Sequence, residues 1–398
     1  MNLYNLPKNN TPINEKILKL KFSKEPVKPV INKSLYNYLQ TVKNKINLYP
    51  TEWNYNKRFT NIYEFIHTNV NSYNESISQL KPVSRAFYKL IEIINSIDLF
   101  KPYYKDSIKS FHIAEAPGGF VEAISYIRNN KYDSYFTTSL INNEDKTVPT
   151  WKTSNIVSSH NIHIDNGIDG TGDLYNCANF EYFSNKYFSQ FDFVTADGGI
   201  DFSSSFENQE YLASKLILCE IFYAISILKK NGHFVLKVFD IFNKTTLQSI
   251  YLLSALFKSV SIFKPKTSRT ANSEKYIICK NLLYDDDKKL EITEKFYKML
   301  KVYNSIKGYY LESFLDIDIQ HYFINKVQEI NSIIGNYQIK NILTTLKLIE
   351  NNEKKNEKIT SFKNDNIQKC ISWCIKNNIP YNKKYKPSNI FLNKKILN

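Results

Sequence analysis

Phe111-His-Ile-Ala-Glu-Ala-Pro-Gly-Gly-Phe-Val-Glu-Ala-Ile124 reads as a short apolar strand, a tight glycine turn and the opening of a helix. Two adjacent glycines let the backbone approach a ligand closely. Such a turn sets backbone N–H groups and the positive end of a helix beside the crevice at the strand end. The segment is not GxGxxG, and it lacks the GK[ST] of a phosphate loop. Opening an α/β sheet, it suits a nucleoside-type cofactor lying across the strand ends. An ordinary tight connection has the same sequence signature, so the decision falls to the neighbouring segments.

Upstream, Pro82 to Leu99 predicts a helix, with Pro82 in its first turn. Val83, Phe87, Leu90, Ile91, Ile94 and Ile97 form its apolar stripe. Arg85, Lys89 and Glu92 share the opposite face at spacings of four and three, the pattern of a solvated face with one ion-pair option. Downstream, Tyr135 to Leu140 predicts a second strand, with no acid directly after it to hold a ribose diol. Gly167-Ile-Asp-Gly-Thr-Gly-Asp-Leu174 is a Gly/Asp loop whose spacing is wrong for an EF-hand, and it fits a loop at the sheet's rim. Phe191 to Asp197 is a strand closed by a carboxylate at its C-terminal end, where α/β ligand sites lie.

Ser205 to Lys230 predicts a long helix with Leu212, Leu216, Cys219, Phe222, Tyr223 and Ile227 along one side. Asn231-Gly-His-Phe-Val-Leu-Lys-Val-Phe-Asp240 follows as a helix stop, with Gly232 in the left-handed conformation, and a strand whose one interior charge is Lys237. A lysine in a buried strand is costly unless paired or used. It either snorkels to water at the strand's end or serves a reaction. Thr245 to Lys258 predicts another helix, and Ser268 to Cys279 a polar loop entering a last strand. Strands alternating with helices from about residue 77 to 285 predict an α/β sheet with helices on both faces.

The chain has 398 residues, 42% of them hydrophobic, enough for a sizeable core. Its net charge of +15 favours a polyanionic partner, most simply nucleic acid, although an AT-rich coding bias toward Lys, Asn, Ile and Tyr yields the same excess. Five cysteines include no CxxC pair and no zinc spacing, and Cys370 and Cys374 read as small apolar residues of one helix face. An odd count without a secretory signal points to a reducing interior, and no apolar run is long enough to predict a membrane span. Residues 1–76 form an N-terminal extension with a basic arm over Lys16 to Pro29. Trp53, Tyr55, Arg58, Phe59, Tyr63 and Phe65 interleave aromatic and basic residues, as a packing cluster or a base-stacking surface would. Residues 286–398 are Lys/Asn-rich with helical periodicity over 290–350.

Lys89, Asp197, Lys237 and Glu274 thus fall at predicted strand and helix ends of one sheet. In this order, with Pro-Gly-Gly between the first two, the chain resembles the FtsJ-type ribose 2′-O-methyltransferases. The matching segments are Ser84–Lys89, Glu115–Phe120, Ala196–Gly199, Gly232–Asp240 and Phe263–Glu274. The last two, with Gly167–Asp173, Glu207-Asn208 and Ser214-Lys215, are most similar to the mRNA cap branch.

The resemblance implies a Rossmann-like class I methyltransferase sheet over 77–285. It implies S-adenosylmethionine as methyl donor, no metal, and capped mRNA as substrate. Lys89, Asp197, Lys237 and Glu274 would be the catalytic set, with Lys237 the base or hydroxyl-orienting group. Ser84, Ala114, Glu115, Ala116, Pro117, Gly118, Gly119, Phe120, Asp173 and Leu174 would hold the cofactor. Asn208, Gln209, Glu210, Ser268, Arg269 and Asn272 would hold RNA. Glu115-Ala116 is closer to the cap-2 type and the Ser268–Glu274 loop to the cap-1 type, so the methylated nucleotide stays open.

Two alternatives stand beside it: the same transfer to ribosomal or transfer RNA, and a non-catalytic RNA-binding subunit on this fold. Other capping or transcription proteins are candidate partners. The composition would suit a large DNA virus, placing the protein in the cytoplasm; a cellular protein of this kind would be nuclear.

Overall fold

The computed structural model describes residues 3–70, 75–101, 106–142, 144–145, 147–151, 160–199, 209–351 and 355–385. The glycine turn lies between strand β3 (Lys109–Ile113), the middle one of five parallel strands in an eight-stranded sheet, and helix α4 (Gly119–Arg128). In chain order the other strands of that sheet are β1 (Leu3–Asn5), β4 (Ser134–Thr138), β5 (Ile162–Ile164), β6 (Phe191–Ala196), β7 (Leu228–Val238), β8 (Phe257–Phe263) and β9 (Lys275–Leu282). Their spatial order is β1-β8-β9-β7-β6-β3-β4-β5. From β5 to β7 the strands are parallel; β9 runs antiparallel between β7 and β8, and β1 closes the edge antiparallel to β8.

Alternation along the strands assigns side chains to two cores. Phe234, Leu236 and Val238 of β7 enter the core that contains α5 (Cys177–Tyr187), α6 (Gln209–Ile227) and α8 (Asp286–Ser305) residues. Val235 enters the other, with Phe87, Tyr88, Leu90 and Ile91 of α3 (Ala86–Ile97) and Phe120 of α4. Lys237, two residues on, therefore lies on the α3 face. Helix α7 (Lys244–Leu256) packs with the first core.

The structure corrects several boundaries. The helix expected from Pro82 begins at Ala86, and the one expected to reach Lys230 ends at Ile227, giving way directly to β7. Asn231, not Gly232, has the positive φ, 65°. Gly232 is required for another reason: a Cβ there would meet Leu228 Cδ2 at 2.7 Å and the Lys229 carbonyl at 2.9 Å. Leu212, expected on the apolar side of its helix, is 42% exposed.

Strand β8 follows α7 without an intervening turn, which is why its start reads as helix in sequence. The basic arm contains β2 (Leu18–Ser23), paired antiparallel with β10 (Tyr310–Leu315) in a second small sheet. Helices α1 (Lys33–Asn44) and α2 (Pro50–Thr60) pack against the 30-residue α9 (His321–Glu350). Trp53 packs in that cluster with Leu39, Val42, Ile342 and Leu346, whereas Tyr55 is exposed. Helix α10 (Lys355–Lys376) buries Cys370, Trp373 and Cys374 in the core that holds α3. No helix among the described residues is long and apolar enough to cross a membrane.

Candidate active site

Parallel pairing of Ala196 with Leu236 sets Asp197, just past β6, beside Lys237 of β7. Lys237 is 8% exposed. Its Nζ donates to the Asp197 carbonyl oxygen at 2.6 Å and stands 3.4 Å from Asp197 Oδ1. Tyr276, paired with Lys237 across β7 and β9, donates its hydroxyl to the same Oδ1 at 2.9 Å. Burial works to lower the Lys237 pKa, but Asp197, Glu274 and Glu220 outweigh it and the net shift is upward. Lys237 rests as an ammonium.

On the α3 side, Lys89 Nζ lies 2.8 Å from Glu274 Oε2. Burial opposes ionisation of Glu274, yet Lys89, Lys237 and Lys264 hold its carboxyl well below the usual carboxylate range. Its other oxygen, Oε1, is buried without a hydrogen-bond partner among the described residues. The two lysine–carboxylate pairs therefore form one electrostatic cluster. The polar face of α3, expected to be solvated, is turned inward: Lys89 is 7% and Glu92 5% exposed. Arg85 Nη2 donates to the Thr267 carbonyl at 2.7 Å, so all three polar side chains of that face meet the 264–274 segment.

At the glycine turn, Ala114 and Gly118 have positive φ of 53° and 109° and the Ala116–Pro117 peptide is cis. The Glu115 side chain turns inward. Its Oε1 accepts the N–H groups of Phe120 at 2.6 Å and Val121 at 2.9 Å, and burial pushes its carboxyl up to about 8. The helix end is thus already capped from within the protein, which disfavours a phosphate there and suits a ligand that has none. Ser84 Oγ accepts the Ala86 N–H at 3.2 Å and occupies the space a Cβ on Gly119 would need, so Gly119 lets α3 and α4 start side by side.

Ser139, after β4, accepts the Ala116 N–H at 3.2 Å, and its carbonyl fills the position of a Gly172 Cβ. The rim loop is thus packed against Ser139, and its Thr171 carbonyl accepts the Ile141 N–H at 2.7 Å. Asp173 Oδ1 accepts the Tyr175 N–H at 2.8 Å, and Leu174 is buried. Asp169 organises the loop itself through Thr171, Asn176 and Asn179. Among the described residues, no group of three or more His, Cys, Asp or Glu side chains could hold a metal ion. The hydroxyl of Thr138, at the C-terminal end of β4, is buried without a partner among the described residues.

The expected RNA contacts divide. Asn208 lies outside the described residues. Gln209 Oε1 accepts the Ser273 hydroxyl at 2.7 Å. Glu210 is turned inward, accepting the Phe242 and Asn243 N–H groups at 2.9 and 2.8 Å, which is not the placement of an RNA contact. Ser268 donates to Asn272 Oδ1 at 3.2 Å, and Arg269 pairs with the buried Glu64 at 2.6 Å. Ser268, Arg269 and Asn272 thus belong to one loop beside Glu274, bonded within itself at Ser268–Asn272 and to Glu64 at Arg269.

Three side chains of the cluster escape a sequence reading. Tyr276 has a signal, because two residues after Glu274 a strand returns to the same face. Glu220 is an acid in the apolar run Leu218-Cys-Glu-Ile-Phe222. Its Oε1 accepts the Gly198 N–H at 2.9 Å and burial pushes its carboxyl up to about 8. Lys264 shows no signal beyond proximity. Its Nζ donates to the carbonyls of Asn272 and Glu274 at 2.7 and 2.6 Å, and burial lowers its pKa to about 7.

The chain is 35% identical over 191 residues to cap-specific mRNA (nucleoside-2′-O-)-methyltransferase 1 of Mus musculus, covering 46% of this chain and 23% of that protein. It is 29% identical over 280 residues to cap-specific mRNA (nucleoside-2′-O-)-methyltransferase 2 of Drosophila melanogaster, covering 62% of this chain and 36% of that one. With the type 1 protein of Dictyostelium discoideum the identity is 32% over 231 residues, 52% and 30% of the two chains. The match thus spans between about a quarter and a third of these relatives' length. The FtsJ-like methyltransferase family model matches residues 82–282, about half of the chain and the whole span from Lys89 to Glu274: the chain belongs to the FtsJ-like methyltransferase family.

Proposed function

We propose that this chain transfers a methyl group from S-adenosylmethionine to the ribose 2′-hydroxyl of a cap-proximal nucleotide of mRNA. The observation that carries the reading is the joint placement of Lys237–Asp197 and Lys89–Glu274 as one buried cluster beside the C-terminal ends of β6 and β7. The cap-specific names of the relatives support the choice of RNA.

S-adenosylmethionine, when bound, supplies an electrophilic methyl on a sulfonium. Ser84, the Ala114–Phe120 turn, Asp173 and Leu174 would hold it, and the capped helix end and phosphate-free character of the turn fit such a ligand. Lys237, an ammonium between carboxylates, cannot take the hydroxyl proton itself; it orients the 2′-hydroxyl and stabilises its oxygen as that proton passes to water and the oxygen–methyl bond forms. Asp197 and Tyr276 fix that ammonium. Glu274 holds Lys89 in place, and its Oε1, unpartnered among the described residues, is an acceptor for a polar substrate hydrogen. Fixing such groups in position is worth about 7–11 kcal/mol when the reacting atoms are well aligned.

Labelled methyl transfer to a short capped RNA and to its uncapped counterpart tests the reading. Label should appear on the capped RNA and map by nuclease digestion to a cap-proximal ribose. Equal labelling of uncapped RNA would remove the cap assignment in favour of ribosomal or transfer RNA. No transfer to any RNA would favour a binding subunit.

A further inference from the structure

Glu92 lies one helical turn after Lys89 on α3, and both of its carboxylate oxygens are engaged. Oε1 accepts the Lys266 N–H at 2.8 Å. Oε2 accepts the Thr267 N–H at 3.0 Å, the Thr267 hydroxyl at 3.0 Å and the Trp373 indole N–H at 3.2 Å. Three of these four partners are obligate donors, so the group is used as an acceptor on both oxygens. Trp373 comes from α10, and its ring stands edge-on to Tyr88 at 5.9 Å.

We infer that Glu92, seated by Trp373 of the C-terminal helix, is a positioning residue for Glu274. Lys266 and Thr267 begin the loop that ends at Glu274, and Glu92 fixes that beginning to the same helix that presents Lys89. Other contacts hold the rest of the loop. Gln338 of α9 donates to the Ala271 carbonyl at 2.9 Å, Arg269 pairs with Glu64, and Lys264 ties Asn272 to Glu274. Trp373, Gln338 and Glu64 all lie outside the 82–282 span of the family match. Segments flanking the methyltransferase sheet thus set the geometry of one of its two lysine–carboxylate pairs. The inference rests on the proposed role of Glu274 in the reaction.

Two substitutions in the full chain test it. Glu92→Gln conserves shape but sets an amide N–H against a donor on one side. Trp373→Phe keeps a ring against Tyr88 and removes one of the four bonds. Amide hydrogen exchange reads the loop independently of catalysis. Exchange at Lys266 and Thr267 should quicken about tenfold or more in Glu92→Gln and less in Trp373→Phe, while β6 and β7 keep wild-type protection. In labelled transfer at temperatures where both variants are folded, kcat should fall in the same order, with S-adenosylmethionine affinity within about twofold of wild type.

Unchanged loop exchange in both variants would overturn the inference, as would faster exchange with wild-type kcat. Faster exchange in a protein whose wild type transfers no methyl would support the bracing of the loop and count against the proposed function instead.

Discussion

Lys237 is held more closely by the backbone of Asp197 than by its carboxylate: 2.6 Å from the carbonyl oxygen against 3.4 Å from Oδ1. The two partners are therefore separable by mutation. Lys237→Ala should lower single-turnover methyl transfer by about 10²-fold or more while RNA binding, measured by filter retention, survives. Asp197→Asn leaves the carbonyl bond and should cost less than Lys237→Ala. Wild-type turnover in Lys237→Ala would refute the mechanism.

The Lys89–Glu274 pair allows a test of what a buried ion pair is for. Removing one partner, as in Lys89→Met or Glu274→Leu, strands a charge and should destabilise the fold by about 3–5 kcal/mol. The double variant removes both charges of the pair and should recover part of that loss in a urea titration, since Lys237 and Lys264 still lose the Glu274 carboxylate. Methyl transfer should not recover. Restored transfer in the double variant would mean that the pair serves stability and not the reaction.

Glu220 gives a pH dependence whose sign follows from its burial. Its folded pKa, about 8, is raised above the ordinary value of 4.5, so its contribution to stability is complete below about 4.5 and is lost as pH rises through about 8. Glu220→Gln keeps an oxygen for the Gly198 N–H and cannot titrate. The Tm of Glu220→Gln minus that of wild type should therefore increase from pH 5 to pH 8. A difference that stays constant over that window would show that Glu220 is ionised in the fold.

Much of the sheet is legible because period-two apolar runs and glycine turns are local signals. The strand at Phe111, the carboxylate at Asp197 and the lysine at Lys237 each announce themselves within about ten residues. What pairs with them does not. Lys89 meets Glu274 across 185 residues of chain, and Glu92 meets Trp373 across 281. A polar stripe on a helix reads as solvated until the loop and helix that cover it are known. Glu210 misleads for the same reason, since a carboxylate that caps backbone N–H groups and one that faces a ligand have the same local sequence. Strand β8 is hidden because no turn residue separates it from α7.

The rim loop offers a controlled comparison between two glycines. Gly170 and Gly172 both have positive φ, 71° and 68°, so alanine at either bears a left-handed strain of roughly 1–2 kcal/mol. They differ in surroundings. A Cβ on Gly170 has nothing within 4 Å among the described residues, whereas one on Gly172 would overlap the Ser139 carbonyl, which is backbone and cannot swing aside. Gly172→Ala must therefore move the loop away from β4, taking Asp173 and Leu174 with it. If those residues hold the cofactor, calorimetry should show S-adenosylmethionine affinity reduced about tenfold in Gly172→Ala and close to wild type in Gly170→Ala. Equal affinities in the two variants would remove Asp173 and Leu174 from the binding site. A Tm loss in Gly172→Ala no larger than in Gly170→Ala would show that the loop yields without resistance, because strain is common to both and only the contact with Ser139 distinguishes them.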